Sequence, residues 1–322
     1  MAVRTYFYHY VSARIGADDP HVIQALRSNL YHLGCRDIRY TSDPETLRDW
    51  VEESPPDLLI VESDLGGADN VCDLFRSIRH GELGCNPFVP LIAVARVAEH
   101  ELVKGLINAG TDDVLPFPWP EKYLDERLDK LMHQRKPFVV TSDYIGPDRR
   151  AMARPGERFA QVVPIDVPNP LRAKALDRMN DEDFGRMIAE GAAQIQVDRI
   201  RRLGELAVRL TRDLEVLDGA GRGTSALSRT CLERLVATTK GILRRAEGTN
   251  FESACTSCRT LNRTAKLMLK SLDDVSLGAP NLHLLQPLTQ NFARDFGLNY
   301  RLLMSEQTAH GINGQQAESM SA

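Results

Sequence analysis

Four apolar residues that stop abruptly at a carboxylate constrain this chain more than any other feature. Leu58, Leu59, Ile60 and Val61 run into Glu62, Ser63 and Asp64 and then a Gly66-Gly67 turn, so that residues 57–69 read DLLIVESDLGGAD. A short apolar run bounded by turn signals is the pattern of a strand buried on both faces, central in a parallel sheet. In open sheets of that kind, sites form just beyond the carboxyl ends of the strands. Glu62, Ser63 and Asp64 stand at such an end.

The flanking segments extend the pattern. Residues 5–11 (TYFYHYV) are aromatic and β-branched and predict a first strand. Asp19-Pro20 opens a helix with Val22, Ile23, Leu26, Leu30 and Leu33 at helical spacing and Gly34 at its stop. A strand over 37–41, a helix over 44–53, the 58–61 strand and a helix over 70–79 follow. Then come a strand over 87–95 (PFVPLIAVA), a helix over 99–109 closed by Gly110, a strand over 113–116 and a helix over 121–133. Alternating strands and helices predict an α/β fold, a doubly wound parallel sheet over 1–134.

Residues 135–178 break the alternation. Pro137, Pro147, Pro155, Pro164, Pro168 and Pro170 forbid a single helix, and nine Lys/Arg stand against five acids. This reads as an extended, arginine-rich linker. Beyond it, over 179–304, apolar stripes recur at steps of three and four. Leu203, Leu206, Leu210, Leu214 and Leu217 form one, Leu227, Cys231, Leu235 and Ile242 another, and Phe251, Cys255, Cys258, Leu261, Ala265, Met268 and Leu272 a third. With a fourth helix over 282–303, they predict an all-α antiparallel bundle. The polar stretch over 305–322 predicts a disordered tail.

The stretches ADDPHVIQALRSNLYHLG, PDLLIVESDLGGADN, FVPLIAVA and LVKGLINAGTDDVLPFPW resemble, in order and spacing, the receiver (CheY-like) domain of bacterial response regulators. The resemblance covers about two-fifths of the chain. It implies a flavodoxin-like sheet of strand order 2-1-3-4-5 and a place in two-component signal transduction, and it ends before the bundle.

The resemblance also assigns chemistry, and this chain departs from it. A receiver places an aspartate nucleophile where this chain has Glu62, one methylene longer. Its Mg²⁺-holding acidic pair aligns with Ala17 and Asp18, with Asp19 just after. The hydroxyl that engages the phosphoryl group is Ala95, the lysine is Phe117, and the aromatic switch position is Val114. Glu62 reads either as a mimic of a phosphorylated aspartate or as a drifted polar residue. Asp64 is the alternative nucleophile, and its plainer reading is a loop carboxylate. Asp18 and Asp19 read as a helix cap before Pro20, with ion binding as the alternative. A degenerate pocket of this kind implies neither catalysis nor a retained Mg²⁺.

Elsewhere, Arg150 and Arg154 match the RxxxR half of the PilZ cyclic-di-GMP signature, but its acidic-x-Ser-x-x-Gly half is absent nearby. Arg149, Arg150 and Arg154 are therefore the anion-binding candidates of a linker whose plain reading is a basic tether. Cys255 and Cys258 lie on an apolar helical stripe and read as buried thiols, since a zinc site needs two more ligands. No histidine precedes His283 on the bundle's helices, against a phosphorelay donor. Arginines and acids alternate from Asp198 to Glu215, a solvated face more than a nucleic-acid groove.

A net charge of −4 gives no push toward nucleic acid or an anionic membrane, and no apolar run reaches bilayer length. Six cysteines without framework spacing predict reduced thiols and a cytoplasmic protein. The expected role is a phosphorylation-independent adaptor for signalling partners or a second copy. The expected surface is that of the 99–109 helix, the 113–116 strand and the last helix, with Lys104 upon it.

Overall fold

The computed structural model describes residues 8–96, 99–120, 122–149, 162–176, 180–274 and 279–305. Contacts divide the chain into two units, 1–195 and 196–322. In the first, β1 (Ser12–Gly16), β2 (Asp37–Thr41), β3 (Leu58–Glu62), β4 (Leu91–Ala95) and β5 (Asp113–Pro116) form one parallel sheet of order β2-β1-β3-β4-β5. With α1 (Pro20–His32), α2 (Pro44–Glu53), α3 (Ala68–Arg79), α4 (His100–Asn108) and α5 (Tyr123–His133) between and after them, this is the receiver-like fold that the resemblance implies.

Strand alternation sorts the core. Leu58 and Ile60 of β3 pack with α1 and α5, whereas Leu59 and Val61 pack with α2, α3 and α4. Each such fully buried side chain contributes about 1.5–3 kcal/mol. The same alternation sends Glu62 to the α1 side. Asp19 and Asp43 cap α1 and α2, each followed by proline: Asp19 Oδ1 accepts from His21 N at 2.7 Å and Asp43 Oδ2 from Thr46 N at 3.0 Å.

The first strand is not residues 5–11. Residues 1–7 lie outside the described ones, Tyr8–Tyr10 is a 3-10 turn, and β1 is SARIG. An apolar-run criterion misses it because Arg14 sits at its centre. That guanidinium is tolerated in the sheet because it forks onto Asp37 of β2 at 3.1 and 3.2 Å. Likewise β4 begins at Leu91, not at 87, beyond the two prolines that lack a ladder donor.

The described residues of the expected linker are folded onto the sheet instead. β6 (Phe138–Val140) and β7 (Ile145–Pro147) make an antiparallel hairpin, and Phe138 exchanges two hydrogen bonds with Ile165 at 2.8 and 2.7 Å. Phe88, Phe138, Val140, Ile145 and Ile195 close a small core of their own. α6 (Pro170–Leu176) buries Leu171 and Ala175 on the α1–α5 side. The boundary between units therefore falls at Ile195, inside α7 (Asp181–Gly219), rather than at 178. Three-residue strands and scattered prolines carry no periodicity, so the sequence shows only the breaks.

What fastens this extension is a buried charge cluster at the amino end of β4 and β5. Asp112 Oδ2 accepts from Arg79 Nη2 at 2.6 Å, Leu91 N at 2.8 Å and Arg135 Nη2 at 3.1 Å, and Oδ1 accepts from Arg135 Nε at 2.9 Å. Arg79 also donates to the carbonyls of Pro87, Val89 and Gly110, and both guanidiniums lie over the Phe138 ring, at 4.9 and 5.1 Å. Burial pulls Arg79 down to about 10, still cationic at neutral pH. Burial works against the Asp112 carboxylate as well, but the adjacent Arg135 and Arg79 outweigh it and hold its pKa below the usual value.

In the second unit, the rest of α7, α8 (Ala226–Ala246), α9 (Cys255–Asp273), α10 (Leu285–Asp295) and α11 (Tyr300–Ser305) enclose one apolar core. Arg229 near the start of α8 meets Asp273 at the end of α9 at 2.7 Å, as antiparallel packing requires. The expected fourth helix over 282–303 is broken at Gly297, whose φ of 63° suits only a residue without a side chain. Leu227 lies exposed, off the expected stripe, and α8 buries Leu232, Leu235, Thr239 and Ile242. Cys255 and Cys258 are buried, and burial pushes the Cys258 thiol up to about 12. No helix among the described residues is long and apolar enough to cross a membrane. The expected tail beyond 305 lies outside the described residues.

Candidate functional site

The carboxyl end of the sheet gathers Glu62, Asp18, Asp19 and a residue that the sequence did not single out, Arg96. Glu62 ends β3 only 1% exposed. Its Oε2 accepts from the main-chain N–H of Asp18 at 2.9 Å and of Asp19 at 3.0 Å, where the chain turns from β1 into α1. These donors sit at the positive end of the helix, so a carboxylate is doubly favoured. Oε1 lies 2.8 Å from Nε and 2.8 Å from Nη2 of Arg96, and the same Nη2 lies 2.6 Å from Asp19 Oδ2.

One guanidinium thus spans the two carboxylates nearest the strand ends. Its hydrogen bond to Glu62, and beyond it the charges of Glu62, Asp19 and Asp64, push its pKa above the ordinary value. The extra methylene of Glu62 makes this possible, carrying the carboxylate out to the loop amides.

The other expected positions fall around this group without joining it. Asp18 is exposed and contributes its amide. Asp64 is exposed in a turn whose main chain closes on Gly67 at 2.8 Å, as a loop carboxylate does. Ala95 is buried at the end of β4 and offers no hydroxyl, and its carbonyl accepts from Phe117 N at 2.9 Å. Phe117 packs edge-on against Trp119, with centroids 5.3 Å apart, on the α1–α5 side of the core. Val114 packs on the opposite side. Neither carries charge to the site.

These residues do not fit Mg²⁺. A magnesium ion needs near-octahedral oxygen ligands at about 2.0–2.1 Å. Here Oε2 of Glu62 is taken by two amides, and Oε1 together with Asp19 Oδ2 by a guanidinium. Among the described residues no group of three or more His, Cys, Asp or Glu side chains is arranged to hold a metal ion. The one sequence signal near Arg96 is its position directly after the missing hydroxyl, in a chain whose usual cation at 117 is gone, and that signal does not say where the guanidinium comes to rest.

Of the three anion-binding candidates only Arg149 is described. Arg149 donates Nη2 to the carbonyls of Thr111 and Asp112, the latter at 3.0 Å, at the amino end of β5. Arg150 and Arg154 lie outside the described residues. On the expected partner surface Lys104 is exposed on α4, 3.4 Å from Glu101, while Arg127 ties α5 to Asp113 of β5 at 3.4 Å.

No family model matches the chain, and no curated protein does. Among solved structures it is similar to the receiver domain of the sensor histidine kinase PA1611 from Pseudomonas aeruginosa PAO1. The identity is 22%, over 37% of this chain and 95% of that one, with a TM-score of 0.33. It is also similar to the response regulator RPA3017 of R. palustris, at 15% identity over 38% of this chain and 92% of that one, with a TM-score of 0.32. The fold assignment rests on the strand order itself.

Proposed function

We propose that the first unit is a phosphorylation-independent interaction module of a response-regulator-like signalling protein, an adaptor rather than an enzyme. One observation carries this reading: the carboxylate at the phosphoacceptor position is already saturated, by the Asp18 and Asp19 amides and by Arg96. A phosphoacceptor needs a free carboxylate oxygen aimed at the donor and a cation for the transferred group. Glu62 has neither oxygen free, and the local cation is bound to it. The internal pair holds the ends of β1, β3 and β4 together without a metal or a modification, so the unit keeps one state. Partners then read a fixed surface, that of α4, β5 and α5.

The test is intact mass after incubation with acetyl phosphate and Mg²⁺. The wild type is expected to gain nothing; one phosphoryl group, mapped to Glu62 or Asp64, would overturn the reading. Charge reversal at Lys104 is expected to weaken association through the α4–β5–α5 surface and leave the fold unchanged. Identical sedimentation and partner retention for variant and wild type would count against that surface.

A further inference from the structure

At the sheet edge opposite β5, α1, β2 and the turn between them carry two arginine–tyrosine stacks. Tyr31 is 59% exposed and Tyr40 47% exposed. Arg36 lies over the Tyr31 ring, 4.3 Å from its centroid, and Arg27 lies over the Tyr40 ring at 4.6 Å. Arg27 and Tyr31 are one helical turn apart on α1, so the two stacks are neighbours on one face. Arg36 is held further, donating Nη1 to the carbonyls of Tyr31 and Cys35 at 3.1 and 3.0 Å. Stacking orders each guanidinium plane, and the carbonyl bonds of Arg36 occupy Nη1 alone, which leaves its Nε–Nη2 edge to fork onto an oxygen anion.

The charge here is one-sided. Between Pro20 and Ser42 the sequence has Arg27, Arg36 and Arg39 against a single acid, Asp37. Asp37 is bound by Arg14 from inside the sheet, at 3.1 and 3.2 Å, and Arg39 stands 3.9 Å from it. β2 is also an edge: among the described residues its one strand neighbour is β1. A strand edge presents a row of backbone donors and acceptors to any extended chain.

We propose that this edge is a docking surface for an acidic, extended peptide segment of a partner protein, added beside β2 with its carboxylates on Arg27 and Arg36, which lie on the α1 face with Tyr31 and Tyr40. Backbone pairing along β2 supplies the affinity, and the arginine–tyrosine stacks on the α1 face select acidic side chains at alternate positions. A second copy of this chain is a poor occupant, because its own edge brings the same positive charge. A nucleic acid satisfies the guanidiniums but not the strand edge. The proposal does not depend on the adaptor reading, since it concerns the edge away from Glu62 and from α4.

The test uses the full chain and a fluorescein-labelled peptide of alternating Glu and Val, followed by anisotropy at low salt. Binding is expected, weakening as salt rises. It is expected to weaken about tenfold or more in the variant Arg27→Glu, Arg36→Glu, and to persist in Lys104→Glu. Methylating alternate backbone nitrogens of the peptide should abolish binding, because the pairing then loses its donors. A circular dichroism spectrum and melt matching the wild type qualify the double variant. If it fails that check, Tyr40→Ala takes its place, with the same loss expected. No binding, binding unaffected by these variants, or equal binding of the methylated peptide overturns the proposal. So does preferential binding of an oligothymidylate, which assigns the edge to nucleic acid. Self-association lost in the double variant overturns it in favour of a second copy.

Discussion

Replacing Asp112 by alanine is the sharpest test of the extended first unit. Asp112 accepts four hydrogen bonds, from Arg79 Nη2, Leu91 N and two nitrogens of Arg135, and its side chain and that of Arg79 are each 1% exposed. The variant leaves two guanidiniums facing each other in a site closed to water. Removing one member of a buried ion pair costs about 3–5 kcal/mol. That is a large share of the roughly 5–15 kcal/mol that holds a domain together. With a urea slope of about 2 kcal/mol/M the midpoint should fall by roughly 1.5–2.5 M. Both tryptophans, Trp50 and Trp119, belong to the first unit, so their fluorescence reports this transition. The acid limb gives an independent check. The Asp112 carboxyl is held below its ordinary value, so its contribution is fully present above the unfolded pKa of about 3.9 and is lost as pH falls through the folded one. The variant should lose stability less steeply below about pH 4 than the wild type. A midpoint within about 0.3 M of wild type would refute the argument and return residues 135–149 to the status of a tether.

Two further outcomes follow from the same geometry. Glu62→Gln removes the charge that the Asp18 and Asp19 amides donate to, so their hydrogen exchange should speed up while that of the α3 amides stays put; unchanged protection at both would show that the charge is not what holds the loop. Burial raises the thiols of Cys35 and Cys258 to about 11 and about 12, whereas Cys85 is exposed. In native protein at pH 8, Ellman's reagent should modify Cys85 at once and Cys35 and Cys258 only on unfolding; early labelling of Cys258 would contradict its burial.

The parts of the fold set by neighbours in sequence were legible. The Asp-Pro step at residues 19–20 marked α1 because a cap and a fixed φ act within one turn, and Asp43 and Pro44 turn out to open α2 in the same way. β2, α2 and β5 run over the very residues that their local patterns indicate. Distant pairing was not legible. β1 is a central strand only because Arg14 finds Asp37, and the hairpin of β6 and β7 docks only because Arg135 and Phe138 meet Asp112 and Arg79. At the candidate site the losses at Ala95 and Phe117 could be read by position, whereas the gain at Arg96 could not. Its meaning depends on where a flexible guanidinium comes to rest.

That resting place makes a prediction of its own. Asp19, Glu62 and Asp64 all act on Arg96, which balances a concentration of negative charge at the strand ends. A divalent cation and the guanidinium compete for the same oxygens, Glu62 Oε1 and Asp19 Oδ2. If the arginine is what excludes the metal, Arg96→Ala should bind Mn²⁺ in a calorimeter where the wild type gives no heat, and Arg96→Lys should behave as the wild type does. Adding Asp19→Asn to the alanine variant should abolish the heat, because it removes a ligand while leaving the helix-capping oxygen in place. Equal Mn²⁺ binding by wild type and Arg96→Ala would show that the carboxylates reach a metal despite the guanidinium, and the case for a permanently closed pocket would fail. Heat from neither would mean that Glu62 stays fastened to the Asp18 and Asp19 amides, so that the longer side chain alone disables the site. The two residues can therefore be ranked, because only the first result makes Arg96 the cause of the closure.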